Sequence, residues 1–156
     1  MKKLTGWLLL IIMGITACEG PMGPMGPEGR PGESTQWFVE DYDVLFNQWK
    51  PASEEGDGYF FHYFEYEVAV PKLTDFVFDL GFVGCYLYQE INYEGKWTEV
   101  QRPLPFTIYG FDDDDSPYSE NYSFEVRPGY IKFIVKYSDF SDFPPLSCTF
   151  HVVMMW

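Results

Sequence analysis

Alternation of apolar and polar side chains between residues 36 and 156 constrains the fold more than any other sequence feature. In Tyr59–Val70 the even positions are Phe, His, Phe, Tyr, Val and Val, whereas the odd positions include Glu65 and Glu67. A period of two is what a half-buried β-strand requires. Tyr130–Tyr137 repeats the pattern, with Ile, Phe and Val on one face and two lysines on the other. These two segments are therefore predicted strands.

The rest of this region divides into short runs separated by Gly, Pro, Asn and Asp, which is typical of β proteins. Leu73–Leu80 has apolar residues at helical spacing and is predicted as a single turn capped by Thr74. We expect a turn-rich stretch at Lys50–Gly58 and an acidic loop at Phe111–Asn121. The remaining predicted strands are Trp37–Phe46, Phe82–Ile91, Lys96–Gln101, Leu104–Tyr109, Tyr122–Val126 and Ser147–Trp156.

Seven or eight short strands at this spacing predict an all-β fold, a single antiparallel β-sandwich that is immunoglobulin-like or related. The segments between strands leave no room for the crossover helices of a parallel sheet. We therefore predict one β-sandwich domain at residues 36–156.

The first 17 residues have the pattern of a secretory signal peptide. Lys2 and Lys3 precede an apolar stretch that ends in Ile15-Thr16-Ala17-Cys18. The stretch Trp7–Ala17 holds only 11 residues, whereas a membrane-spanning helix needs about 20. The tetrapeptide resembles the lipobox of bacterial lipoproteins. That resemblance implies a diacylglycerol on the Cys18 sulfur and cleavage just before it, so that acyl chains hold the protein at a membrane.

Residues 18–35 then form a predicted tether. Glycine recurs at every third position through the five triplets of Gly20–Ser34. This is the collagen repeat, in which only glycine fits at the axis of three polyproline II chains. Five triplets are few for a triple helix, so we favour a semi-rigid monomeric spacer of about 3.1 Å per residue. A trimer remains the other reading, and the oligomeric state stays open.

The charge of the chain excludes some partners. The full chain carries a net charge of −14, and removal of Lys2 and Lys3 with the signal leaves 8 basic against 24 acidic side chains. Binding to nucleic acid needs clustered Lys and Arg, so we expect no nucleic-acid partner. Anionic lipid is equally unfavourable, and the acyl group must supply the membrane attachment.

Two cysteines remain if Cys18 is lipidated. Export would place Cys85 and Cys148 in an oxidising compartment, where a disulfide between them can persist. The other reading is two separate buried thiols, and we lean slightly toward it, because sequence cannot place the two Cα atoms within bridging distance.

Candidate chemistry is sparse. The run Asp112, Asp113, Asp114 and Asp115 is a weak calcium candidate, since its spacing fits no EF-hand. No close pair of His and Cys suggests zinc, and no nucleophile elbow or phosphate-binding loop occurs. We therefore expect no metal, no cofactor and no enzymatic activity.

Aromatic residues are the best candidates for a ligand surface. They make up 21% of the chain, and exposed rings stack on sugars or anchor protein contacts. The candidates predicted to lie on outer faces or loops are Trp37, Trp49, Tyr59, Tyr63 and Trp97.

Taken together, the lipobox, the Gly-Pro-x triplets and the β domain resemble a family of small lipoproteins of Gram-negative gut bacteria. The resemblance also includes the final strand Cys148–Trp156 and three internal motifs. The motifs are Leu73-Thr74-Asp75, Gly81-Phe82-Val83 and Leu104-Pro105-Phe106. The resemblance implies location and fold, with the outer membrane as the expected site, but it carries no activity and no site residue.

These observations predict a cell-envelope lipoprotein that presents a binding module for a glycan or protein ligand. The alternative is a structural subunit of an envelope or surface assembly, trimeric through the Gly-x-y segment. Which ligand and which membrane face are involved cannot be read from the sequence.

Overall fold

The computed structural model describes residues 35–56, 59–139 and 141–156, and within them nine strands form two packed antiparallel sheets. The chain is an all-β sandwich, as the alternation predicted. Besides the strands there are a 3₁₀ turn at Phe46–Gln48 and one short helix, α1 (Asp75–Leu80). The strands are β1 (Trp37–Val44), β2 (Lys50–Gly56), β3 (Tyr59–Ala69), β4 (Phe82–Tyr93), β5 (Lys96–Pro103), β6 (Phe106–Phe111), β7 (Pro117–Arg127), β8 (Tyr130–Tyr137) and β9 (Cys148–Met155).

The two sheets differ in size and in the way the chain enters them. The four-stranded sheet has the order β1-β9-β4-β5, and the five-stranded sheet has the order β2-β3-β8-β7-β6. The first strand therefore pairs with the last, which differs from the immunoglobulin order, where the first strand pairs with the second. This pairing brings residues more than a hundred positions apart onto one surface.

The core lies between the sheets and is dominated by aromatic and β-branched side chains. Phe133 of β8 stacks face to face on Phe150 of β9, with ring centroids 4.0 Å apart, and Trp49 meets Phe150 edge-on. Four other inward residues of these two strands are fully buried, namely Ile131, Val135, Val152 and Met154. The inward residues of β8 are those that the sequence alternation assigned to the core.

Helix α1 forms where the helical spacing predicted a single turn. The Thr74 hydroxyl accepts a hydrogen bond from the Val77 amide at 3.3 Å and so caps the first turn. Val77 is buried, and the Gly81 amide donates to the Val77 carbonyl at the other end. The turn packs one apolar side chain into the core and leads directly into β4.

Two segments predicted as loops are strands. Lys50–Gly56 was predicted as a turn-rich stretch, but it forms edge strand β2, which pairs with β3 from Lys50↔Glu65 onward. Edge strands tolerate Pro and acidic residues, because one side of the backbone needs no partner. The predicted acidic loop also shrinks to residues 112–116, since β7 already begins at Pro117.

The alternative of a disulfide between Cys85 and Cys148 is wrong for this structure, in which both thiols are free. Cys85 pairs with Val152 on β9, and Cys148 lies four residues farther along that strand. Four residues of a strand span about 13 Å, whereas bridged Cα atoms lie within about 7 Å. The strand register therefore keeps the two cysteines apart.

Among the described residues, none of the helices has the length and apolar character to cross a membrane.

Candidate functional site

The outer faces of the two sheets are chemically different. On the five-stranded sheet, Lys132 lies between Glu125 at 2.9 Å and Glu65 at 3.5 Å, and Arg127 bonds Glu67 at 3.0 Å. In each such pair the charged groups of neighbouring strands neutralise one another, and the surface around them stays hydrated. Ion pairs thus cover the middle of this face, while Tyr109 and Phe111 are exposed on its edge strand β6.

The outer face of the four-stranded sheet is instead apolar at one end. Trp37, Val39 and Phe82 are each more than half exposed, although all three belong to regular strands. Strand register places them beside one another, because Trp37 and Phe82 both pair with Met155 on β9. We call this surface the apolar platform. Its members are Trp37, Val39, Phe82, Gly84, Tyr86, Val153 and Met155.

Gly84 makes the platform flat. A Cβ atom at Gly84 would lie 2.9 Å from the Phe82 ring and 3.7 Å from the Tyr86 ring. The Phe82 ring therefore lies down over the glycine backbone, against the sheet. With any larger residue at this position, the ring would have to lift away.

A row of polar side chains crosses the four strands next to the platform. His151 Nδ1 lies 2.6 Å from an Asp41 carboxylate oxygen and 3.3 Å from the Tyr88 hydroxyl oxygen. The Gln101 side-chain amide donates to the same Tyr88 oxygen at 3.2 Å. We call these four residues, Asp41, His151, Tyr88 and Gln101, the polar row. It links β1, β9, β4 and β5 in their spatial order.

The polar row contains hydrogen-bond donors and acceptors that its own internal hydrogen bonds do not use. When His151 Nδ1 donates to Asp41, its Nε2 atom is an acceptor. Tyr88 receives a hydrogen bond from Gln101, and the His151 Nδ1 atom that faces its hydroxyl already donates to Asp41, so the Tyr88 O–H proton is left without an acceptor among the described residues. The His151 side chain is 17% exposed and the Asp41 side chain 52% exposed, so a ligand can reach the row. The row offers both donors and acceptors beside an aromatic surface.

The His151–Asp41 pair resembles two parts of a catalytic triad in its geometry alone. A triad also needs a nucleophile bonded to the imidazole. In the described part of the chain, no serine, threonine or cysteine side chain hydrogen-bonds to His151, and Thr149 next to it donates to Asp43 at 2.6 Å. The side chains of the row donate and accept hydrogen bonds.

The aromatic residues singled out from the sequence do not form one surface. Trp37 and Trp97 are 65% and 67% exposed and lie at opposite ends of the same outer face. Trp49 is buried in the core, so its prediction as a surface residue is wrong. Tyr63 lies on the other sheet, under the Lys136 ammonium group. Tyr59 belongs to β3, but its side chain falls outside the described part.

The acidic run holds its own loop together. One oxygen of Asp112 accepts hydrogen bonds from the Asp114 amide at 2.9 Å and the Ser116 amide at 2.8 Å. Among the described residues, no group of three or more acidic, His or Cys side chains is placed to hold a metal ion. Cys18, the signal at 1–17 and the tether through residue 34 lie outside the described residues, so their predictions stay predictions.

The residues that do come together could not be predicted from the sequence, for a physical reason. Alternation indicates which side chains of a strand share a face, but it does not tell which strands are neighbours. Asp41 and His151 are separated by 110 residues and meet only because β1 pairs with β9. Gly84 between two aromatic residues was the one local signal, since glycine within a strand often marks a close approach.

Comparison with known proteins finds no matching family model, no similar curated protein and no similar solved structure. The functional argument therefore depends on the geometry of this surface.

Proposed function

We propose that this chain is a cell-envelope lipoprotein whose β-sandwich is a binding module for a glycan or protein ligand, without catalysis. The apolar platform is the observation that carries this proposal. Apolar patches of a few hundred Å² on a protein surface are often functional. Trp37, Val39 and Phe82 stay more than half exposed and adjoin one another, while ion pairs cover the middle of the opposite sheet.

The sequence supports attachment to the envelope. The lipobox at Cys18 supplies acyl chains, each contributing about 0.8 kcal/mol per buried methylene group. The Gly-x-y segment then acts as a spacer between the membrane and the module. Intact mass of the protein from native membranes tests the anchor. The expected mass is that of residues 18–156 plus two or three acyl chains, and a chain without lipid would refute this part of the proposal.

A binding array tests the module itself. The mature chain with Cys18→Ser is applied to an array of neutral glycans, acidic glycans and purified envelope proteins. We expect binding to at least one class, lost in Trp37→Ala and kept in Trp97→Ala. The two tryptophans are almost equally exposed on the same face, so the second variant is a matched control. The absence of binding to every class would refute the proposal, and so would binding that Trp37→Ala leaves unchanged.

The Gly-x-y repeat favours a second candidate, a trimeric structural subunit. Collagen-like chains associate in threes, and anchoring at a membrane raises the effective concentration of neighbouring chains. This candidate predicts self-association that depends on residues 20–34.

A further inference from the structure

We propose that the apolar platform and the polar row together bind a neutral polysaccharide, with sugar rings on the platform and sugar hydroxyls on the row. This inference rests on the proposed binding function and adds the chemical class of the ligand.

The platform has the shape that stacking on a sugar requires. A pyranose ring presents an apolar face of C–H groups, which packs on the flat face of an aromatic ring. Phe82 lies flat because Gly84 beneath it has no side chain, and Trp37 is 65% exposed across β9 from it. Val39 and Val153 pair with each other and continue the apolar surface between these rings and the polar row.

The polar row matches the rim of hydroxyl groups that surrounds such a ring. A sugar hydroxyl both donates and accepts, so it needs a donor and an acceptor side by side. The Tyr88 hydroxyl proton and the His151 Nε2 atom supply them, and Asp41 holds the imidazole in place at 2.6 Å. Gln101 in turn fixes the Tyr88 hydroxyl at 3.2 Å.

The charge of this face favours a neutral ligand over an acidic one. Every formal charge at an outward position of the four described strands is a carboxylate, apart from any on His151, and these positions hold no Lys or Arg. The carboxylates are Asp41, Asp43, Glu90 and Glu99. A uronate or sulfate would meet like charge without a compensating cation, which costs binding energy. Asp41 and Asp43 are already hydrogen-bonded to His151 and Thr149, so the face is not arranged for a cation either.

The size of the surface favours a glycan over a folded protein. The platform and row extend about 20 Å along the strands and about 14 Å across the four of them, roughly 280 Å². A stable protein interface needs about 800 Å² from each partner. A surface of this size fits a few consecutive sugar rings.

Affinity electrophoresis tests the inference with the mature chain carrying Cys18→Ser. The probes are the neutral polysaccharides galactomannan, xyloglucan, arabinoxylan and glycogen, together with acidic pectin and cationic chitosan. We expect retardation by at least one neutral probe. Tyr88→Phe removes one hydroxyl group and should weaken binding about tenfold, which corresponds to one lost hydrogen bond. Gly84→Val lifts the Phe82 ring and should weaken binding at least as much.

Trp97→Ala and His62→Ala are the controls, since both change exposed residues away from this surface, and neither should alter binding. Circular dichroism confirms that each variant is folded. Retardation by none of the neutral probes, stronger retardation by pectin or chitosan, or insensitivity to Tyr88→Phe and Gly84→Val would each overturn the inference. Binding to an acidic glycan or an envelope protein that Trp37→Ala abolishes would still leave the proposed function standing.

Discussion

At the residue scale, Gly81 shows how a missing side chain sets the junction between α1 and β4. A Cβ atom there would lie 2.6 Å from the Val77 carbonyl oxygen and 2.8 Å from that of Met155. Backbone atoms of a helix and a strand cannot yield as a flexible side chain can. We expect Gly81→Ala to lower the free energy of unfolding by about 1–3 kcal/mol, as overpacking does. Urea denaturation measures this.

Gly84→Ala is the matched control for Gly81→Ala. Its added methyl group would crowd only the Phe82 ring, which can rotate toward solvent, and would lie at an ordinary contact distance of 3.7 Å from the Tyr86 ring. We expect a change of less than about 0.5 kcal/mol, typical of surface substitutions. Equal effects of the two variants would show that the close contact at Gly81 does not govern stability.

The two cysteines predict a loss of stability at high pH. Burial raises the pKa of the Cys85 thiol from its ordinary 9.0 to about 12, and burial with Glu120 nearby does the same for Cys148. The folded state thus keeps both protons while the unfolded state releases them, and stability is lost as pH rises from 9 through about 12. Burial also raises the pKa of Tyr122, which acts in the same direction.

Urea unfolding at pH 7, 9 and 10.5 measures this dependence. The double variant Cys85→Ala, Cys148→Ala is less stable at pH 7 because of the cavities it creates, but its stability should fall less steeply above pH 9. An unchanged slope in the double variant would contradict the assignment to the thiols. Iodoacetamide should also modify both thiols much faster in urea than in buffer at pH 8.

At the scale of single elements, the sequence predicted eight of the nine strands that the described residues form and missed the edge strand β2. Tyr130–Tyr137 was predicted with the bounds that β8 has, because a central strand buried on one face shows full alternation. β2 contains Pro51, Glu54 and Glu55 and was taken for a turn, since an edge strand does not need a continuous apolar face. Sequence patterns therefore indicate which side chains are buried more directly than they indicate which segments form the hydrogen bonds of a sheet.

Helix α1 is short enough that its cap should matter. The Thr74 hydroxyl is the side-chain acceptor for the Val77 amide, and the helix holds only 6 residues. We expect Thr74→Ala to lower the free energy of unfolding by about 1 kcal/mol and Thr74→Ser to retain most of it. Equilibrium urea unfolding of both variants checks this. A serine variant no more stable than the alanine variant would contradict the role of the hydroxyl group as a cap.

The candidate site was predictable only in part. Alternation correctly placed Trp37 and Trp97 on an outer face, and the structure confirms that both are exposed. It could not place Trp49, because a bulky ring after a short turn can lie on either side of the chain. Nor could it assemble the polar row, which depends on the order of four strands in a sheet.

At the scale of the whole molecule, the Gly-x-y segment separates the two candidate functions. The shortness of the repeat predicts a monomeric spacer, so deletion of residues 20–34 should leave the oligomeric state unchanged. Sedimentation equilibrium of the mature Cys18→Ser chain with and without this segment measures it. A trimer that becomes a monomer on deletion would instead support the structural subunit.

The contrast between the two outer faces is the central feature of the whole molecule. One sheet turns ion-paired Lys132 and Arg127 toward solvent and carries Tyr109 and Phe111 on its edge strand β6. The other turns Phe82 outward from an inner strand, with Trp37 across β9 from it. The same core stabilises both sheets from within. The packing of the sandwich therefore does not require apolar side chains on the outer face of the four-stranded sheet. We infer that the exposed apolar side chains of the four-stranded sheet serve to bind a ligand.

Chemical-shift mapping tests that claim most directly. An isotope-labelled mature chain carrying Cys18→Ser is titrated with the neutral polysaccharide that binds best. The account predicts shifts of the Trp37 indole, the Gly84 amide and the His151 ring, with the Trp97 indole and the Lys132 amide unmoved. Shifts clustered on the five-stranded sheet or around Asp112–Asp115, with the Trp37 and Gly84 signals unchanged, would contradict it.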